Sequence, residues 1–115
     1  MQPDQGHLAP LLDMLAYARD AVAATSGSSP DAFRTDKNLR LATERRIEII
    51  GEAARKVSKA FQQAHPQIPW RKIMAQRHVL AHDYGEIDHG LVWRVVTVHL
   101  PVLIEQLEAL IPPQQ

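Results

Sequence analysis

Apolar residues recur at spacings of three and four along most of the chain, and this periodicity most constrains its fold. Such stripes favour amphipathic helices, because apolar residues in a half-buried strand alternate instead. The 115 residues are 45% hydrophobic but only 5% aromatic, a balance typical of packed helices. We therefore expect an all-α fold, a four- to five-helix up-and-down bundle. It should form one domain over 1–115, with its core at about 8–110.

Breaks in the stripes set the helix boundaries. The predicted helices cover about 8–24, 36–64, 70–81 and 89–110, with a short turn at 31–33 and another at 82–86. Pro10 fits only a first turn, so the first helix should start near residue 9. Pro101 should kink or restart the last helix, because proline lacks a backbone donor. Gly51, inside the second helix, predicts a close helix crossing, since a residue without a side chain lets backbones approach.

Composition excludes several classes of protein. The absence of cysteine removes disulfides, thiolate metal sites and a cysteine nucleophile. The first ten residues lack the basic cluster and apolar core of a signal peptide. No run of about 18 apolar residues is present, so we expect no membrane span and a cytoplasmic protein.

Charge is unevenly distributed although the formal net charge is zero. The stretch 34–77 holds 11 basic and four acidic residues, a balance of +7, so the remainder carries −7. A basic centre between acidic ends could bind a polyanion or pair with acidic ends of its own or a partner chain. It could equally be a solvated helix face with local ion pairs.

Polar and titratable side chains cluster between Arg77 and Tyr84. His78 and His82 are four residues apart, so a helix would place them on one face, one turn apart. From the residues alone, three interpretations are open. They are a zinc site, a metal-free catalytic site and a structural hydrogen-bond network at a helix end.

A zinc site would use His78 and His82 as its first two ligands. The candidates for the remaining ligands are Asp83, Asp88 and His89. The glutamate that turns this spacing into a metalloprotease motif is missing, because Val79 occupies its place. We therefore expect no metal and no other cofactor.

A metal-free site would suit cleavage of RNA. The 2′-hydroxyl attacks the adjacent phosphorus, so one group must move its proton and another must stabilise the charge that develops. Histidine transfers protons near neutral pH, and the planar fork of arginine matches phosphate oxygens. Arg77 and His82 supply both types of group.

The motif Arg77, four residues, His82, one residue, Tyr84 resembles that of the HEPN superfamily. Within it, the chain is similar to the HepT-like toxins that accompany minimal nucleotidyltransferase antitoxins. Four flanking blocks also match, namely 49–54, 68–70, Trp93 and 100–101. The resemblance extends over about 8–110, and several ordered blocks together are far more specific than the Arg-His spacing.

The resemblance implies a homodimeric, metal-independent endoribonuclease with Arg77 and His82 as its catalytic pair. His78 stands where the family usually has Asn or Asp, and would be a supporting polar position. Tyr84 matches the tyrosine that the ATP-using partner transferase adenylylates. The expected substrate is RNA and not DNA.

Several roles around this motif remain open. Glu52 and Asp83 are the candidate orienting residues, although Glu52 could instead form an ordinary salt bridge. One alternative function is a non-catalytic, substrate-binding subunit of a nucleotidyltransferase. Another is a helical dimer in which the polar cluster is purely structural.

Overall fold

Helices make up most of the computed structural model, which describes 5–80 and 89–113, with side chains over 8–75 and 89–113. The helices are α1 (Gln5–Thr25), α2 (Pro30–Thr35), α3 (Lys37–Arg55), α4 (Lys59–Ala64), α5 (Trp70–Leu80) and α6 (His89–Leu110). The described residues contain no strand, so the predicted all-α class is confirmed. The four long helices form the bundle, and α2 and α4 are short connecting helices.

The start of α1 differs from the prediction. The helix begins at Gln5, so Pro10 lies inside it and not in its first turn. A proline there removes one hydrogen bond close to the end of the helix, where the ladder is least complete. Because Pro10 is buried, its packing offsets that loss.

The predicted unbroken helix over 36–64 is wrong, because the chain turns between α3 and α4. The Ser58 hydroxyl accepts a hydrogen bond from the Phe61 backbone N–H at 3.1 Å and caps α4. The Gln62 side chain donates to the backbone oxygen of Val57 at 2.9 Å, near the end of α3. The apolar stripe continues through this turn because both helices bury residues in the same core.

Pro101 restarts α6 without ending it, as predicted. The preceding turn, Val95–His99, is π-helical, and the Leu100 N–H bonds to the Val95 oxygen five residues back. The Thr97 hydroxyl donates to the Trp93 oxygen at 2.7 Å. The helix thus passes a residue that cannot donate, and the Trp93 and Val95 oxygens just before it keep their partners.

The composition of α6 departs from one expectation drawn from the sequence. An 18-residue window of α6 reaches a mean hydropathy of 1.2, and 33% of that window is buried in the bundle. By length and composition alone α6 could therefore cross a membrane, although core helices of other proteins pass the same criterion. Val98 and Val102 leave about half of their surface exposed, at 46% and 51%.

The crossing of α3 and α5 is as close as Gly51 predicts. A Cβ atom at Gly51 would lie 3.0 Å from the backbone oxygen of Ile73. The Arg55 guanidinium donates to the Met74 backbone oxygen at 2.8 Å on the same face. The position of α5 is therefore set by direct contact of α3 with its backbone.

Candidate functional site

The predicted catalytic segment begins in the last turns of α5 and extends beyond the described residues. The backbones of Arg77 and His78 are helical. His82, Asp83 and Tyr84 lie outside the described residues, as does the predicted turn at 82–86. The proposed pairing of Arg77 with His82 therefore stays a prediction.

The packing of α5 determines which end of the bundle carries this segment. Trp70, at the start of α5, donates its indole N–H to the His65 backbone oxygen at 2.9 Å, just beyond α4. Gly51 meets α5 at the end of its first turn, at Ile73. Because α4 follows the end of α3, the later turns of α5, including Arg77, run back toward the beginning of α3.

The beginning of α6 lies at the same end of the bundle. The Arg40 Nη1 atom, on the first turn of α3, is 3.1 Å from both ring nitrogens of His89. His89 is the first residue of α6, as its predicted place at a helix start requires. The described chain thus resumes at His89, beside Arg40.

Sequence reasoning assigned no role to Arg40, which appeared only as one of many basic residues. Its contact with His89 joins residues 49 positions apart. No periodic pattern or motif links such positions. A search for a cation on the first turn of the long helix could have singled out Arg40, but not its partner.

Glu52 lies on an exposed part of α3 and has an ordinary ionic partner. Its carboxylate is 3.5 Å from the Arg45 guanidinium, which also lies 3.3 Å from Glu48. With Gly51 and Met74, among others, Glu52 lines a cleft of about 100 Å³ between α3 and α5. The salt bridge considered from the sequence is present, and an orienting role toward Arg77 stays a prediction.

A metal centre finds no support in the described part of the chain. No group of three His, Asp or Glu side chains able to hold a metal occurs there. Four of the five ligands considered for zinc have side chains outside the described set, and the fifth, His89, faces Arg40. The Arg40 guanidinium disfavours zinc binding by His89, because this cation already lies against the ring nitrogens that would hold Zn²⁺.

The model of one known protein family matches most of this chain. The model of the ribonuclease HepT-like family matches residues 14–110, from the middle of α1 to the end of α6. The chain belongs to the HepT-like family. Within the HEPN superfamily, the HepT-like match therefore includes the α3–α5 crossing, the Arg40–His89 contact and the whole Arg77–Tyr84 segment.

Relatives of this HepT-like chain share most of its length. "Putative RNase MJ1380" of Methanocaldococcus jannaschii is 34% identical over 98 residues, 85% of this chain and 90% of that protein. "Putative RNase MJ0127" of the same organism is 32% identical over 101 residues, 88% of this chain and 84% of that protein. "Probable ribonuclease HepT" of Thermococcus cleftensis is 37% identical over 78 residues, 68% of this chain and 71% of that protein. No solved structure matches the chain.

The structure gives physical roles to two of the flanking HepT-like blocks. Gly51, in the block 49–54, allows the close approach of α5. Trp70, in the block 68–70, anchors the start of α5 through its indole. A third block, Trp93, packs against Phe33 with ring centroids 5.3 Å apart at the edge of the core. The first two blocks hold in place the helix that carries Arg77.

Proposed function

We propose that this chain is a metal-independent endoribonuclease toxin acting on RNA in the cytoplasm, with Arg77 and His82 as its catalytic pair. The observation that carries the proposal is the family match over 14–110, within which the motif Arg77-x4-His82-x-Tyr84 is unbroken. The names of the relatives above, which describe ribonucleases, support the same activity.

The chemistry needs only the groups that the motif supplies. The 2′-oxygen forms a bond to phosphorus while the bond to the 5′-oxygen breaks, and a proton moves from the former to the latter. His82 takes part in this proton transfer, since an imidazole exchanges protons near neutral pH. Arg77 stabilises the charge on the phosphorane oxygens, and His78 provides a further polar contact.

Control of the toxin rests with Tyr84 in this proposal. A minimal nucleotidyltransferase antitoxin transfers AMP from ATP to its hydroxyl. The added phosphate carries negative charge and the nucleoside adds bulk, so RNA phosphates are repelled from the cleft.

A homodimer completes the proposal, and the groove between α5 and α6 is the surface that supports it. The groove has a volume of about 610 Å³ and a mainly apolar lining that includes Ile73, Val95, Val98 and Val102. We assign a second copy of this chain to it. Because α5 borders the groove and also carries Arg77, two-fold packing there brings the two motifs to one cleft.

The proposed activity is tested by cleavage of transfer and messenger RNA in the presence of EDTA. We expect Arg77→Ala and His82→Ala each to lower the rate at least about 100-fold, since each removes charge stabilisation or proton transfer. Arg19→Ala is the matched control, because Arg19 is exposed and pairs with Glu108 on another part of the bundle. Circular dichroism establishes that each variant is folded.

Undiminished cleavage by His82→Ala would contradict the catalytic assignment. An inactive wild-type protein that binds the transferase tightly would instead support the alternative function, a substrate-binding subunit without nuclease activity. A His82→Ala variant that only melts at lower temperature, with RNA and partner binding unchanged, would support a structural role.

A further inference from the structure

The contact between Arg40 and His89 leaves part of the Arg40 guanidinium buried without a hydrogen-bond acceptor. The Arg40 Nη1 atom lies 3.1 Å from both nitrogens of the half-buried His89 ring. The Arg40 Nε atom is inaccessible to solvent and has no hydrogen-bond acceptor. Buried donors without acceptors are rare in folded proteins, because each forfeits its bonds to water.

Arg40 also has no counter-ion in the described part of the chain. Arg19, Arg34 and Arg45 lie within 4 Å of a carboxylate. Among the described arginines that lack one, Arg40 alone has a buried Nε atom without an acceptor. A guanidinium offers five N–H donors, and an imidazole ring has at most one acceptor nitrogen. Enclosing part of a cation without a counter-ion is costly, so the surroundings of Arg40 suit an anionic ligand.

The position of the pair indicates which anion this is. Arg40 stands at the end of the bundle toward which α5 carries Arg77, and His89 directly follows the segment 81–88. A polynucleotide that presents one phosphate to Arg77 would bring a neighbouring phosphate to this end of the bundle. Because Nε is inaccessible to solvent, a phosphate oxygen would bond the Nη groups of Arg40.

We propose that Arg40, held in place by His89, binds a phosphate group of the RNA next to the phosphate that is cleaved. This inference rests on the proposed ribonuclease function and adds a substrate-binding residue to it. Arg40 would position the strand and would take no part in proton transfer. His89 would orient the guanidinium through its ring contact with Nη1.

Binding is measured with a fluorescent single-stranded RNA and the His82→Ala protein, which holds the substrate uncleaved. We expect Arg40→Gln to raise Kd about tenfold, because a charge-assisted contact to phosphate is lost. The slope of log Kd against log salt should become shallower by about 0.7, the contribution of one phosphate contact on a single strand. In the active protein KM should rise while kcat changes little.

Three further variants separate charge from orientation. Arg40→Lys keeps the cation but not the fork, so the salt slope should stay at its original value while Kd rises. His89→Ala should also raise Kd with little change in slope, since Arg40 keeps its charge. Arg19→Gln is the control, as it removes an equally charged residue near the far end of α6, roughly 28 Å from His89.

Unchanged Kd and salt slope in a folded Arg40→Gln protein would overturn the inference. Arg40-dependent binding of AMP without Arg40-dependent binding of RNA would also overturn it and assign the site to a nucleotide. If Arg40→Gln fails to fold, the Kd values of Arg40→Lys and His89→Ala replace it as the test. Unchanged Kd in both of these variants would then overturn the inference. Arg40-dependent RNA binding by a wild-type protein that cleaves no RNA would contradict the ribonuclease function while sustaining the phosphate contact.

Discussion

At the scale of single residues, Tyr84 and Arg77 illustrate two different origins of a prediction. Arg77 and His82, with four residues between them, suit phosphodiester chemistry on physical grounds. Spacing alone favours a structural network, and only the ordered flanking blocks favour catalysis. The role of Tyr84 in control comes wholly from the family resemblance, because a tyrosine after a helix has no chemical signature of its own.

Silencing by AMP transfer gives Tyr84 a direct test. We expect Tyr84→Phe to cleave RNA at close to the wild-type rate and to stay active after incubation with the partner transferase and ATP. Removing the hydroxyl removes the acceptor for AMP and leaves Arg77 and His82 in place. Cleavage before and after incubation, with mass spectrometry of the protein, is the measurement.

The chain offers one matched control, since Tyr17 on α1 is its only other tyrosine. Tyr17→Phe should remain open to silencing and gain the mass of one AMP. Loss of activity in Tyr84→Phe after incubation would show that the modified residue lies elsewhere.

Arg40 shows what sequence reasoning cannot reach at this scale. Its partner, His89, is 49 residues away in the chain. The contact matters because the buried Nε atom of Arg40 has no hydrogen-bond acceptor. Burial without an acceptor is a property of the packed structure, so no pattern of residue types predicts it.

At the scale of elements, the sequence predicts the long helices and fails where local capping competes with periodicity. The last helix begins and ends where the stripe of apolar residues does. The break between α3 and α4 escapes detection because Phe61 continues the apolar stripe of α3. The Ser58 hydroxyl, which caps the start of α4, makes a contact that hydrophobic periodicity does not detect.

The α3–α5 crossing makes the second prediction at this scale. We expect Gly51→Val to lower the free energy of unfolding by about 2 kcal/mol, because a Cβ there already meets the Ile73 oxygen at 3.0 Å. Gly51→Ala should cost less, since alanine regains about 1 kcal/mol of helix propensity. Urea denaturation followed by circular dichroism gives both values.

Ala60→Val on the exposed side of α4 is the control for the helix propensity of valine. It should cost less than about 1 kcal/mol. Equal costs at residues 51 and 60 would mean that α5 shifts freely, and the crossing would then lose its role in holding Arg77.

At the scale of the whole molecule, the charge pattern of the sequence is partly explained. The basic stretch 34–77 forms local ion pairs in the described structure, as between Arg45 and Glu48. Acidic residues of α6 pair elsewhere, as Glu108 does with Arg19. The solvated-face interpretation thus accounts for part of the excess, while Arg40 keeps no such partner there. The presence of a bundle follows from periodicity, but the groove on its surface depends on how α5 and α6 pack.

A homodimer through that groove predicts a clear response to charge. We expect Val98→Asp to raise the dimer dissociation constant by about 30-fold or more, because an unpaired carboxylate is costly in an apolar interface. Sedimentation at micromolar concentration should show the mass fall from two chains to one. RNA cleavage should fall in parallel if the cleft is shared.

Leu41→Asp is the matched control, since Leu41 on α3 is 52% exposed, close to the 46% of Val98. It should leave the mass of the assembly unchanged. A monomeric wild-type protein would contradict the dimer. Binding of the wild type to lipid vesicles through Val98 would assign the apolar face of α6 to a membrane instead.

The π-helical turn at Val95–His99 has a consequence for the insertions and deletions that α6 can tolerate during evolution. A turn of this kind holds one residue more than the α-helical turn it replaces. The extra residue is taken up within that turn, so deleting one residue there would leave an ordinary α-helical turn with Leu103 and Leu107 still facing the core. A deletion in the α-helical residues before this turn would instead rotate the residues preceding it by about 100° relative to Leu103 and Leu107. Single-residue deletions in α6 should therefore be tolerated within Val95–His99 and not in the turns on either side.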